Sequence, residues 1–164
     1  MPGSIEVTYK TEITVVQTLG DTSLLPTART VTHNQMNTLK TLNGSSTPPA
    51  SVTSKYRQLL SGGAATIDLT AVLSTNGAIV SALGLKMQAI KVKALEDNAN
   101  PIAIVPGAVN GYVWTGTTPR IDLAGGQEDC KYLNAKAPVV ASGAKTLDLA
   151  GTGTQGVDIE IVLG

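Results

Sequence analysis

The side chains able to do chemistry are few and dispersed. His33 is the only histidine and Cys130 the only cysteine. Within one chain this excludes a multi-histidine metal site, a thiolate metal site and an internal disulfide. A nucleophile–imidazole pair would need His33, set in a polar stretch, to meet Cys130 or a serine. No Gly-x-Ser-x-Gly elbow or local cysteine-protease signature accompanies them. Asp129 beside Cys130 raises a thiol pKa rather than activating it. His33 therefore reads as a loop residue and Cys130 as a structural or solvent-facing thiol.

Three carboxylates share an apolar–Asp–Leu context: Ile67-Asp68-Leu69, Ile121-Asp122-Leu123 and Leu147-Asp148-Leu149. Brought together they would offer a calcium site or a glycosidase pair. Strand alternation explains all three more simply, with two apolar residues inward and Asp outward, where it discourages edge pairing. Asp97-Asn98-Ala99-Asn100 supplies oxygen ligands but lacks the glycine and distal glutamate of an EF-hand loop, and reads as a turn. Tyr112 and Trp114, two apart on one strand face, could stack on a ligand such as a sugar; with aromatics only 3% of the chain, core or subunit interface is the preferred reading. Gly62-Gly63 and Gly125-Gly126 lack the lysine and spacing of a phosphate loop. We assign no catalytic residue, metal or cofactor, and expect no enzyme.

The elements carrying these residues are strands. In Leu85–Ile104 apolar and polar residues alternate, slip by one residue, and alternate again, which predicts a bulged central strand, a turn at Glu96–Pro101 and a return strand, together a hairpin. Ile5, Val7, Tyr9, Ile13 and Val15 share a parity, as do Val157, Ile159, Ile161 and Leu163, so strands are expected over 5–15 and 157–163. Asn76-Gly77 and Asn110-Gly111 are two-residue hairpin signals, the latter leading into Tyr112–Trp114, and Pro106 marks an edge or a bulge. The sum is an all-β chain, an antiparallel β-sandwich or jelly roll.

Residues 21–54 stand apart as an extended Ser/Thr/Pro-rich arm. Thr32 and Gln35 could cap a short helix carrying Met36, Leu39 and Leu42; the competing reading is strand-like. We expect one domain over 1–164, with 21–54 packed on it or on a neighbouring subunit. Phenylalanine is absent, so Ala, Val, Ile, Leu and Thr methyls must fill the core, and a protomer with such a core gains by burying surface against copies of itself.

Twelve basic and twelve acidic residues balance, and the basic ones are scattered, against a nucleic-acid partner. No apolar run spans a bilayer and no secretion signal opens the chain, so no membrane is expected and synthesis is expected in the cytoplasm.

The succession ALEDNANPIAI, RIDLAGGQE, SGAKTLDLAGTG and VDIEIVLG resembles small structural proteins of tailed bacteriophages and similar bacterial proteins, over about residues 61–164. In that pattern a strand ends in an Asn-Leu-Asp-like turn, here Ala94-Leu95-Glu96-Asp97-Asn98. A later Leu-x-Pro-Gly-Glu turn reads Leu123-Ala124-Gly125-Gly126-Gln127-Glu128, with glycine for proline and one extra residue. The resemblance implies a β-sandwich virion component, such as a head decoration protein. It would form a homo-oligomer, trimer or higher, dock on a capsid or other shell protein, and reside in the virion. Subunit contacts are expected at Ile5, Val7, Tyr9, Leu24, Leu25, Pro48, Pro49, Val157, Ile159 and Ile161. The alternatives are a ligand-binding sandwich using Tyr112 and Trp114, and a tail or filament subunit.

Overall fold

The computed structural model describes residues 5–19, 29–33, 38–74 and 77–164. The chain divides into two compact units where one domain is expected: Thr8–Thr41, and Leu42–Gly164 together with the N-terminal residues through Val7.

The larger unit holds eight strands in two four-stranded antiparallel sheets. The first sheet has the order β12 (Glu128–Tyr132), β9 (Met87–Ala94), β14 (Gly156–Leu163), β5 (Val52–Leu59). The second has the order β11 (Ile121–Leu123), β10 (Ile102–Pro106), β13 (Thr146–Ala150), β6 (Ala64–Asp68). Counted one to eight in chain order, the sheets run 6-3-8-1 and 5-4-7-2. That is the strand order of a jelly roll, two interlocked Greek keys. The sandwich expected from alternation is present, and no α-helix occurs among the described residues.

Both inner faces feed one core. Ile90 and Val92 on β9, Ile102 and Ile104 on β10, Leu147 and Leu149 on β13, and Val157, Ile159 and Ile161 on β14 are buried together. Outward positions on the same strands are polar or small, which is the alternation that fixes register. The phase slip in β9 is a bulge: Val162 pairs with Ala89 but Leu163 with Met87, leaving Gln88 as the extra residue. Gln88 is fully buried, and its Nε2 donates to the carbonyls of Pro48 and Pro49 at 2.8 and 3.1 Å.

Two expected hairpins are corrected. β9 and β10 lie in different sheets, so Glu96–Pro101 is a corner that carries the chain across the core. Its anchor is Asn98, whose Nδ2 donates to the Gly156 carbonyl at 2.8 Å and whose Oδ1 accepts from the Gly156 amide at 3.0 Å. A side-chain amide thus replaces a ladder partner that the corner removes. Asn110-Gly111 does not pair Ile102–Val109 with Tyr112–Trp114 either. Asn110 takes a positive φ of 54°, and the Tyr112 amide donates to the Thr146 carbonyl at 2.8 Å as the chain passes β13. Pro106 ends β10 beyond the β11 ladder, which stops at Ile104, so no partner strand there needs its missing amide hydrogen. Near the expected Asn76-Gly77 hairpin, β7 (Val72–Leu73) pairs with β8 (Ile79–Val80) in a register that does not fit a two-residue loop there, and Asn76 lies outside the described residues.

The N-terminal strand is shorter than expected, because β1 (Glu6–Thr11) ends before Ile13, which is 78% exposed. Ile5 and Val7 pack with Leu42 and Ala50 over Ala89, Val162 and Tyr132, covering one end of the outer face of the first sheet. Of the 21–54 segment, residues 29–33 and 38–54 are described. Among its described residues, β3 (Arg29–His33) pairs with β2 (Val15–Leu19), β4 (Thr38–Asn43) pairs with β1, and residues 52–54 open β5. The strand-like alternative therefore holds for Leu39 and Leu42, which lie on β4 rather than a helix; Met36 is outside the described residues. β-Branched Thr and Val dominate RTVTH, which suits a pleated strand over a helical turn.

If Asn98 holds the corner, Asn98→Ala strands the Gly156 amide, while the Gly156 carbonyl keeps the Leu95 amide at 3.1 Å, and lowers unfolding free energy by about 1–3 kcal/mol. Asp97→Ala, exposed one residue earlier, is expected to stay within about 0.5 kcal/mol. Urea unfolding of both variants beside the parent checks the contrast.

Candidate functional site

His33 sits on β3, its side chain outside the described set. Cys130 lies half-buried on β12. Burial pushes its thiol up, Lys91 draws it back, and Asp129, Glu128 and Glu160 add to the rise. The group is thus poorly disposed to ionise near neutral pH.

The three aspartates do not converge. Each points outward from the second sheet and is engaged by its own neighbours. Asp68 receives Lys145 Nζ at 2.7 Å and both the amide and hydroxyl of Thr70. Partial burial raises its pKa, but those donors outweigh it and hold the carboxyl below the ordinary range. Asp122 is gripped by Arg120 Nε at 2.7 Å and is depressed by that contact. Asp148 accepts from the Thr66 hydroxyl at 2.7 Å and the Ala108 amide at 2.8 Å. No group of three or more metal-binding side chains gathers among the described residues.

The ligand-stacking role considered for Tyr112 and Trp114 is corrected by their burial, 0% and 2% exposed. Both rings plug the core beneath the long connections. Tyr112 Oη donates to the Pro138 carbonyl at 2.6 Å and accepts from the Met87 amide at 3.2 Å, while burial raises its pKa. Val157, Ile159 and Ile161 are corrected likewise, since all three belong to the core and present no surface to a partner. Pro49 is exposed, Pro48 half-buried, and both carbonyls are tied to Gln88. Ile5 and Val7 are partly buried against their own unit, Tyr9 is half-buried, and Leu24 and Leu25 fall outside the described residues.

What the structure does assemble is a charged field on the outer face of the first sheet. Register places Glu128, Lys93, Asp158 and Arg57 side by side across four strands, with Lys91, Glu160 and Lys55 in the next row. Arg57 holds Asp158 through two bonds of 2.8 and 3.1 Å, depressing that carboxyl. Lys91 meets Glu128 at 3.2 Å, and Lys55 lies 3.9 Å from Glu160. These side chains line an open hollow of about 630 Å³. Its charges alternate in sign by strand, and Lys93, left over by that pairing, meets Glu96 at 3.2 Å, an arrangement that suits docking. Sequence reading noticed Lys91 and Lys93 but missed their acidic partners. The available signal was the run of charged residues at alternate positions in Lys55–Arg57 and Asp158–Glu160, which only strand pairing brings together.

No family model, curated protein or solved structure matches the chain.

Tyr112→Phe deletes a buried hydroxyl and leaves the Pro138 carbonyl and Met87 amide unpaired; a loss of about 1–3 kcal/mol in urea unfolding is expected. Asp68 supplies a pH signature. Its folded pKa lies below the unfolded value of about 4, so its stabilisation is present above that value and is lost as pH falls through the folded pKa. Lys145→Met narrows that gap, so the variant's urea midpoint should fall less than the parent's as pH drops from about 6 to about 3. Parallel slopes would rule out Lys145 as the source.

Proposed function

We propose that this chain is a non-enzymatic virion structural protein, a self-associating jelly-roll subunit that decorates or builds a phage particle, with capsid decoration as the leading role. The observation that carries the reading is the 6-3-8-1 and 5-4-7-2 strand order. Viral capsid proteins are among the recurrent users of that architecture. The step from fold to role is one of analogy, and the site chemistry must agree with it. Here it does. Asp68, Asp122, Asp148 and Asp158 are each held by neighbouring donors, and both core aromatics are occupied with packing. The resemblance of residues 61–164 to tailed-phage structural proteins points the same way. Shell proteins act through surface, and the first sheet offers a paired, low-net-charge outer face for contact.

Light scattering on the size-fractionated protein, with mass spectrometry of particles banded from the encoding organism, tests the role. Oligomers of trimer size or larger, and the chain at stoichiometric abundance in the particles, are expected. A protein that stays monomeric when concentrated and is missing from every particle fraction would overturn it.

A further inference from the structure

The two ends of the jelly roll are chemically unlike. Antiparallel pairing puts the turns 60–63, 95–101, 124–127 and 151–155 at one end, and the described connections 69–74, 77–86, 107–120 and 133–145 at the other, beside the uncharged residues 44–51 that lead into β5. The short turns are laced together: the Gly63 amide donates to Gly153, Gly151 to Gly63, and Gly126 to Leu95. The long connections are also joined, Lys145 to Asn110 at 2.7 Å and Gly84 to Val140 at 2.9 Å through backbone bonds. Each end is therefore one connected surface.

The long-loop end contains Lys86, Arg120, Lys136 and Lys145 and not one Asp or Glu. Arg120 and Lys145 are matched by strand aspartates, whereas Lys136 is exposed and Lys86 Nζ donates to the Ala135 carbonyl. The same connections display Leu83, Val109 and Val139, at least 44% exposed, and the β7–β8 hairpin bridged to β5 at Ser54 displays Leu73 and Ile79. The short-turn end has the opposite character. Its four turns contain Glu96 and Asp97 and no basic residue. The Glu96 side chain is 78% exposed although Lys93 stands 3.2 Å away. The other exposed large apolar side chain recorded on this unit, Leu59, closes β5 at that end beside Leu95, both within reach of Gly156.

We infer that the jelly roll binds a second copy of itself end to end, the basic, apolar long-loop end of one seated on the acidic short-turn end of the next. Like ends do not suit each other, since two long-loop ends set lysine against lysine and two short-turn ends set Glu96 and Asp97 against their own copies. Unlike ends match in sign and bring Leu59 to the exposed leucines and valines. Such a contact is heterologous, so each added copy leaves one end of each kind open, and growth continues until a ring closes or a filament extends. This inference rests on the self-association reading above and names its contact.

Two blocked variants test it: Leu83→Asp with Val139→Asp at the long-loop end, and Glu96→Lys with Asp97→Lys at the short-turn end. Ile79→Asp is a second long-loop variant, and circular dichroism confirms that each folds. In sedimentation velocity the parent should form species beyond a dimer as concentration rises, retreating toward monomer between about 0.05 and about 0.5 M salt as screening shortens. Each blocked variant alone should lose all self-association, and an equimolar mixture of the two kinds should stop at a dimer. Variants that assemble like the parent overturn the end-to-end contact and leave the virion role standing, with copies meeting through another face. A mixture that stays monomeric overturns it too, and a parent that is always monomeric counts against both. Binding of a monomeric parent to phosphatidylglycerol vesicles, lost in Leu83→Asp with Val139→Asp, would reassign the long-loop end to lipid.

Discussion

Two inner faces built from small aliphatic side chains must meet across a single thin layer, and the rest of the molecule answers to that constraint. Without phenylalanine, no one residue spans the gap between sheets. Ile, Leu and Val from both sheets therefore interdigitate, each adding modest area, and the core is continuous because every strand keeps its alternation. The two large buried rings, Tyr112 and Trp114, are used where strands give way to long connections and aliphatic packing cannot reach. The hydroxyl of Tyr112 then ties the loop at Pro138 to the start of β9.

A thin core also requires the chain to cross it repeatedly. Of the connections among the eight strands, only β10 to β11 stays within a sheet. Four of the crossings, 60–63, 95–101, 124–127 and 151–155, are tight and built largely from backbone, so glycine and asparagine do the turning. A Cβ on Gly125 would meet the Asn98 carbonyl at 2.6 Å, and one on Gly63 the Gly151 carbonyl at 2.7 Å. Asn98 completes the corner with its own amide. Of the polar side chains that resembled a ligand loop in the sequence, the Asn98 amide is consumed by the backbone it serves.

Much of this was legible in the residues. Alternation located β9, β14 and the three aspartate-bearing strands, and the slip in phase located the bulge at Gln88, because side-chain period is a local property. Pairing was not legible. Glu96–Pro101 and Asn110-Gly111 carry turn chemistry that is equally good for a hairpin and for a corner between sheets, and only distant strands decide between them. Val157, Ile159 and Ile161 read as an interface from parity alone, yet β14 runs between β9 and β5 and its apolar face is interior. The ion-pair field suffered the same blindness, since Arg57 and Asp158 lie far apart in sequence and meet only through register.

The position of β14 has a consequence for how the chain acquires its structure. It is the inner neighbour of both β9 and β5, and it follows both in sequence. During synthesis the first sheet must wait with its two earliest strands unjoined, their edges open, until residues 156–163 have left the ribosome. A nascent chain of this design holds an incomplete sheet until β14 slots between its partners, and such non-local closure is slow.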